Sequence, residues 1–222
     1  GFIMFLTHSS ADMDTIEKDF IEGLPLSNGY SVILVVIDRL SKYGHFIPLK
    51  HPFSSKTVAE VFIKEIVRLH GFPENIVSDR DKVFLSNFWT ELFKSQGTIL
   101  HRSTAYHPQT DGQIEVVNRC LETYLRCFAG RKPKSWLQWL HWAEYWYNTS
   151  YHTTTGTTPF LAVYGREPPK ILRYGDISTV NGQVEELIRD RDSLLPELRE
   201  NMELAQRRMQ KSANDKCVFC MF

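Results

Sequence analysis

Three acidic residues in this chain could act together on a phosphodiester: Asp19, Asp79 and Glu115. Carboxylate oxygens are the ligands that Mg²⁺ prefers, and this ion takes only a few of them beside several waters. Two such ions about 3.5–4 Å apart can activate an attacking water or 3′-hydroxyl and stabilise the leaving oxygen. The three carboxylates therefore predict a phosphoryl-transfer site, in which the protein supplies position and charge rather than a covalent nucleophile.

The alternative is that these residues are unrelated members of the 26 acidic residues in the chain, serving as helix caps and surface charge. Composition and spacing by themselves favour that alternative. The metal-site interpretation gains weight only if the surrounding elements bring the three side chains to one place.

Strand patterns surround both aspartates. The chain becomes strand-like around Asp19, and a run of β-branched residues over 31–38 is typical of a strand buried on both faces. A third strand is predicted over 44–49, so the first three strands form an antiparallel meander. A short buried strand over 75–78 then delivers Asp79 at its end.

Glu115 follows a stretch with a different character. Residues 105–112 hold Pro, Gly and small polar residues, which predicts a loop, and apolar residues at helical spacing then predict a helix to about Gly130. Glu115 is expected in the first turn of that helix. Acidic residues are common near helix N-termini because the macrodipole favours them, so this position alone does not indicate catalysis.

The remaining elements complete an α/β plan with a mixed sheet. Helices are predicted over 57–70, after Ser86 as its cap, and over 158–164. A fifth strand is predicted over 98–101. A further helix carries an aromatic stripe, which favours a core or a subunit interface over a base-stacking platform. The stripe consists of Trp136, Trp139, Leu140, Ala143, Trp146 and Tyr147.

Composition narrows the classes of protein. The 222 residues have a net charge of zero and a pI near 7.2, which argues against a protein that coats nucleic acid non-specifically but leaves room for a local basic groove. Four cysteines are too few for a disulfide scaffold, and Cys120 and Cys127 are interpreted as small buried apolar residues. Because no segment is suited to span a bilayer, we expect a soluble intracellular protein without membrane association.

The pattern divides the chain into five segments. They are an irregular start (1–14), a core (15–169), a linker (170–182), a charged amphipathic helix (183–214) and an atypical tail (215–222). The tail carries Cys217 and Cys220 at metal-ligand spacing, but a lone pair of cysteines is weak evidence for zinc, so we expect no zinc in this chain.

Several motifs resemble one known family in order and spacing. They are Asp-Phe-Ile-Glu-Gly-Leu-Pro at 19–25, Ile-Val-Ser-Asp-Arg-Asp at 76–81, Ala-Tyr-His-Pro-Gln-Thr-Asp-Gly at 105–112 followed by Glu115 and Asn118-Arg119, Trp-Tyr-Asn at 146–148, and Gly-Thr-Thr-Pro at 156–159. The chain from about Ile16 to Pro169 resembles the catalytic core of Ty3/Gypsy retrotransposon integrases. That core has the D,D-35-E arrangement on a ribonuclease H-like fold.

The resemblance implies a fold, a site and partners. The fold would be a ribonuclease H-like mixed five-stranded sheet flanked by helices, with a C-terminal helical extension. The activity would be DNA 3′-end processing and strand transfer with two Mg²⁺ or Mn²⁺ ions, held by Asp19, Asp79 and Glu115. The implied partners are DNA, as element ends and target, and further copies of the chain, in the nucleus. The implied DNA contacts are Tyr106, His107, Gln109, Asn118 and Arg119.

Two of these assignments have alternatives within the sequence. Asp14 is a rival to Asp19 as the first metal ligand, and Asp19 is preferred because it precedes the Phe-Ile-Glu-Gly-Leu-Pro run as the family's aspartate does. Asn118 and Arg119 share a helix face with Glu115 and are placed to meet phosphate. An ordinary surface ion pair between Glu115 and Arg119 is an equally good interpretation.

The chain also departs from the family pattern. The family has an N-terminal His-His-Cys-Cys zinc module, but residues 1–14 contain only His8 of these ligands. Lys18 stands where the family usually has an apolar residue. The tail at 215–222 looks unrelated to the family's β-rich DNA-binding module. These departures keep a second function open: a truncated or domesticated remnant, inactive as an enzyme, that binds nucleic acid or self-associates. A host ribonuclease H is disfavoured by the His-Pro-Gln-Thr-Asp-Gly loop and the spacing of Glu115.

Overall fold

A computed structural model describes residues 13–78, 83–102, 108–129, 132–152 and 154–168, with the side chains of 102, 108–113, 127 and 128 excepted. Five strands form one mixed sheet in the order β3-β2-β1-β4-β5. The pairs β1–β2 and β2–β3 are antiparallel, whereas β4 runs parallel to both β1 and β5. The predicted meander and the mixed five-stranded sheet are confirmed.

The elements follow the predicted order along the chain. The strands are β1 (Thr15–Ile21), β2 (Val32–Asp38), β3 (Gly44–Leu49), β4 (Asn75–Ser78) and β5 (Ile99–Arg102). The helices are α1 (Ser55–Phe62), α2 (Arg68–His70), α3 (Asn87–Ser95), α4 (Pro108–Ala129), α5 (Trp136–Thr149) and α6 (Pro159–Tyr164), with a π turn at Ile63–Val67 and a 3₁₀ turn at Pro133–Ser135.

The sheet separates two apolar cores, because successive side chains of a strand point to opposite faces. Every residue of β2 is buried, as expected for a central strand covered on both faces. One face packs against α1 and α3, with Phe62, Trp89 and Phe93 at its centre. The other face packs against α4 and α5, where Tyr124 and Trp146 stack at 5.1 Å.

The aromatic stripe of α5 belongs to the second core. Of the two roles predicted for it, a core or a subunit interface, the structure shows the core. Trp136, Leu140 and Trp146 are buried there. Cys120 of α4 lies in the same core, and burial raises the pKa of its thiol to about 12, which confirms the apolar interpretation of this cysteine. The side chain of Cys127 lies outside the described part.

The helix that carries Glu115 begins earlier than predicted. Residues 108–112 were expected in a loop, but α4 already starts at Pro108, so Glu115 lies in its second turn rather than its first. Proline is favoured at the first helical position because its missing N–H has no intrahelical partner there. Gly112 lowers helix propensity by about 1 kcal/mol, a cost that the burial of Ile114 and Val117 offsets.

The first helix also differs from its prediction. Ser54 caps it by accepting a hydrogen bond from the N–H of Thr57. The uninterrupted helix predicted over 57–70 contains a π turn from Ile63 to Val67. Ser86, the predicted cap of α3, accepts a hydrogen bond from the N–H of Trp89. Thr158, predicted as the first residue of α6, is instead its cap and accepts from the N–H of Leu161.

Side chains of α5 cover the outer edge of β3. Asn148 accepts from the N–H of Gly44 at 2.8 Å and donates to its carbonyl at 2.7 Å. Glu144 accepts from the N–H of Phe46 at 2.8 Å. These bonds satisfy backbone groups that would otherwise offer a template for strand pairing. No helix in the described ranges is long and apolar enough to cross a membrane.

Candidate active site

The pairing of β1 with β4 decides which aspartate can accompany Asp79. The two strands are parallel, with Thr15 opposite Asn75 and Lys18 opposite Ser78. Asp19 therefore follows Lys18 at the sheet end where the chain continues from Ser78 into Asp79. The last described pair, Lys18 with Ser78, lies directly before the two aspartates in both strands.

The rival residue Asp14 lies at the wrong end of the strand. It precedes β1, and its carbonyl accepts the N–H of Asn75 at 2.8 Å, at the start of β4 rather than its end. The register thus places Asp19, and not Asp14, at the end of β1 that is aligned with the C-terminal end of β4. Asp79 itself lies outside the described residues.

The carboxylate of Asp19 is held by two donors. Its Oδ1 accepts the N–H of Phe20 at 2.8 Å, and its Oδ2 accepts from Nδ2 of Asn118 in α4 at 2.8 Å. The second bond joins residues 99 positions apart in the chain and fixes α4 against the end of β1. Each carboxylate oxygen has two lone-pair sites, so this geometry is compatible with metal coordination.

Glu115 precedes Asn118 by three residues, so the two side chains share one face of α4. Its carboxylate is 61% exposed and lies 3.5 Å from the guanidinium of Arg119, which is 63% exposed. An exposed pair of this kind stabilises a helix by only about 0.3–0.5 kcal/mol, so Arg119 does not hold Glu115 in place strongly. Glu115 is thus an accessible carboxylate next to the Asn118–Asp19 contact.

Lys18 explains one departure from the family pattern. It is 2% exposed and lies on the other face of the sheet from Asp19, with Nζ 3.6 Å from the ring centroid of Phe84 and 3.4 Å from that of Trp89. Its aliphatic stem contributes to the core as an apolar residue would. The two aromatic faces attract its ammonium group.

The proposed ligand set consists of oxygen donors, which suits Mg²⁺ or Mn²⁺. Among the residues that the structure describes, no group of three or more His, Cys, Asp or Glu side chains is placed to hold a metal ion. Asp79 lies outside those residues. Asp19 and Glu115 fit such an ion by chemistry and by their position on elements in contact, β1 and α4.

Other predicted site residues fall outside the described part. These are Tyr106 and His107, together with the side chain of Gln109, whose backbone lies in the first turn of α4. Sequence reasoning placed Asn118 near phosphate and missed its bond to Asp19. The helical spacing of Asn118 from Glu115 was the available signal, because a residue on that face meets whatever Glu115 approaches.

Comparison with known proteins shows sequence relatives. No protein-family model matches the chain. It is 32% identical over 160 residues to the transposon Tf2-3 and Tf2-4 polyproteins of Schizosaccharomyces pombe strain 972, a match that covers 72% of this chain. The chain is homologous to a segment of these Ty3/Gypsy-type polyproteins. It spans 12% of their length.

Solved structures show the fold of this chain. A simian T-cell lymphotropic virus intasome in complex with PP2A regulatory subunit B56 gamma matches with a TM-score of 0.60 and 19% identity, covering 77% of this chain and 61% of that one. The HTLV-2 integrase catalytic core domain, in complex with magnesium and in trimeric form, matches with a TM-score of 0.56 and 17% identity, covering 68% and 97%. The chain thus has the ribonuclease H-like fold of integrase catalytic cores.

Proposed function

We propose that this chain is the catalytic core of a retrotransposon integrase, which cuts and joins DNA by metal-dependent transesterification. The observation that supports it best is the register of β1 and β4, which brings Asp19 to the sheet end from which the chain continues into Asp79. The hydrogen bond from Asn118 to Asp19 adds the helix of Glu115 to that end. The homology to Tf2 polyproteins and the integrase-core fold support the same function.

In this proposal Asp19, Asp79 and Glu115 bind two Mg²⁺ or Mn²⁺ ions. When bound, these ions activate the attacking oxygen and stabilise the charge on the phosphate and the leaving oxygen. A 3′-hydroxyl of one DNA strand loses its proton to solvent and attacks a target phosphodiester. One P–O bond forms as another breaks, and the leaving 3′-oxygen takes a proton from solvent. Water replaces the 3′-hydroxyl in end processing.

The surrounding residues position these groups. Asn118 orients the Asp19 carboxylate through its amide donor. Arg119 is exposed beside Glu115 and can exchange its weak ion pair for a DNA phosphate, because exposed pairs of this kind cost little to separate. DNA contacts by Tyr106, His107 and Gln109, and assembly with further copies, are parts of the same proposal.

The test is Mn²⁺-dependent strand cleavage and joining on a pre-assembled branched DNA substrate, which asks least of regions outside the core. Glu115→Gln is expected to abolish activity, because it keeps the shape of the side chain and removes the charge that binds metal. Glu122→Gln is the matched control: it lies on the same helix and pairs with Arg126, also four residues on, at 3.2 Å. It should retain wild-type activity.

Activity that survives Glu115→Gln, or that falls equally in Glu122→Gln, contradicts the proposed triad. A folded wild-type chain that shows no activity above the Glu115→Gln variant contradicts the enzyme itself. In that case the second function applies, a remnant that binds nucleic acid or self-associates. Binding of the branched DNA by the inactive chain would then distinguish these two roles.

A further inference from the structure

A second group of metal-ligating side chains lies at the outer edge of the sheet. Nε2 of His45 in β3 lies 3.0 Å from Nε2 of His70, the last residue of α2. His45 shares the face of Ile47, two strands from Asp19 and on the opposite side of the sheet. His45 is 6% exposed and His70 is partly exposed, so solvent reaches the pair at the His70 ring.

Glu144 orients one of these rings. Its Oε1 lies 3.3 Å from Nδ1 of His45, while its Oε2 accepts the N–H of Phe46. A carboxylate at Nδ1 favours a proton there and leaves the lone pair of Nε2 directed at His70. Metal-binding histidines commonly have this arrangement, in which a carboxylate fixes the ring and increases the basicity of the other nitrogen.

The π turn directly before α2 helps to bring His70 to β3. Val58, Phe62 and Ile66 face the core at intervals of four residues, and His70 continues the series. An α-helix turns every 3.6 residues, so a four-residue series drifts steadily around it. The wider π turn at Ile63–Val67 counteracts that drift. Insertions of this kind are found frequently at functional sites.

We propose that His45 and His70 form a two-histidine site for a borderline transition-metal ion, represented by Zn²⁺. Imidazole nitrogens suit Zn²⁺, Cu²⁺ and Ni²⁺, whereas Mg²⁺ selects oxygen ligands, so this site is chemically distinct from the one at Asp19. No third His, Cys, Asp or Glu ligand joins the pair among the described residues, so water or a group outside those residues would complete the coordination.

The geometry requires only a small adjustment. Zn–N bonds of about 2.0–2.1 Å in a tetrahedral site hold two nitrogens about 3.3–3.4 Å apart. The observed 3.0 Å must therefore open by a few tenths of an ångström. His70 supplies this movement, because it ends a helix and is the more exposed of the two. The bound ion would join α2, β3 and, through Glu144, α5.

The experiment is a calorimetric titration of the full chain with ZnCl₂ in the presence of excess Mg²⁺. Cys217 and Cys220 are also potential zinc ligands, so the measured quantity is the difference between wild type and His70→Gln. We expect the variant to bind one Zn²⁺ fewer or at least tenfold more weakly. Glu144→Gln, which keeps an acceptor for Phe46, should weaken the same site about 10- to 100-fold.

The control is His101→Gln, because His101 is an exposed histidine whose ring hydrogen-bonds to the Asn75 side chain, away from His45 and His70. It should bind Zn²⁺ as wild type does. Equal stoichiometry and affinity in wild type and His70→Gln would overturn the proposal and leave the pair as a shared-proton contact. His70→Asn serves the same comparison if His70→Gln does not fold. Neither result depends on DNA-joining activity.

Discussion

At the scale of single residues, the Asp19 carboxylate shows how a candidate metal ligand is positioned. One of its oxygens binds its neighbour's N–H, and the other binds Asn118 on a distant helix. Donors that hold a ligand in one orientation reduce the entropy lost when a metal binds. Such partners therefore affect affinity almost as strongly as the ligands themselves.

Asn118→Ala removes the side-chain donor and leaves the carboxylate of Asp19 in place. We expect the Mn²⁺ concentration for half-maximal strand joining to rise about tenfold, with activity recovering at saturating Mn²⁺. The measurement is activity against Mn²⁺ concentration, beside Glu122→Gln as a control on the same helix. An unchanged Mn²⁺ dependence would show that Asn118 does not act through Asp19.

A second prediction for a single residue concerns the contribution of the buried Lys18 side chain to stability. Lys18→Ala removes a fully buried stem and the contacts of its ammonium group with Phe84 and Trp89. We expect the free energy of unfolding to fall by about 2–4 kcal/mol, measured by urea denaturation. Lys56→Ala, on the 71%-exposed Lys56 of α1, should change it by less than about 0.5 kcal/mol. Similar losses in both variants would refute a structural role for Lys18.

At the scale of elements, α5 packs closely against the outer strand. A Cβ atom at Gly44 would lie 2.9 Å from the Tyr147 ring and 2.8 Å from Ile37, so only glycine permits this approach. The approach in turn lets Asn148 reach both backbone groups of Gly44. The Trp-Tyr-Asn motif therefore acts as one unit, with two core aromatics and an amide that covers the strand edge.

Asn148→Ala is expected to lower the free energy of unfolding by about 2–4 kcal/mol, because it leaves a buried N–H and a buried carbonyl without their partner. Thr149→Ala, in the same helix, removes a hydroxyl that bonds to the Tyr145 and Trp146 carbonyls and should cost less than about 1 kcal/mol. Urea denaturation of both variants gives the comparison. Equal losses would mean that the edge of β3 does not need this amide.

At the scale of the whole molecule, the free energy of unfolding is expected to depend on pH through His152, which contacts Tyr147 of the second core. His152 follows α5, and its Nε2 lies 3.1 Å from the Tyr147 carbonyl. Burial holds the pKa of His152 below its ordinary value; the hydrogen bond to the Tyr147 carbonyl partly opposes this lowering, and the charge of Lys42 adds a smaller one. The unfolded chain therefore binds this proton more readily than the folded one.

The difference between the two pKa values sets the direction in which the free energy of unfolding changes with pH. The contribution of neutral His152 is complete above its unfolded pKa of about 6.5 and is lost as the pH falls toward the lower folded value. We expect the free energy of unfolding of wild type to decrease more between pH 7.5 and 5.5 than that of His152→Gln. Urea denaturation at both pH values measures the two decreases. Identical decreases would show that other groups carry the acid sensitivity.

Local pattern was sufficient for most of the fold. The β-branched run of β2, the cap at Ser86 and the aromatic spacing of α5 each specify an element through contacts within a few residues. The start of α4 was missed because Pro108 and Gly112 are common in loops, and only the packing of the helix against the sheet offsets their cost. The π turn at Ile63–Val67 was missed because it too depends on how the helix packs against the sheet and not on a local sequence signal.

The residue types and motifs were enough to name the groups that could do chemistry, namely carboxylates in motifs that resemble those of integrase cores, on elements of recognisable type. Tertiary structure decided which of these groups meet. The β1–β4 register separates Asp19 from Asp14, the Asn118 bond crosses 99 residues, and the His45–His70 contact crosses 25. Such contacts depend on strand register and helix phase, which arise from the packing of the whole core and leave no local signal in the chain.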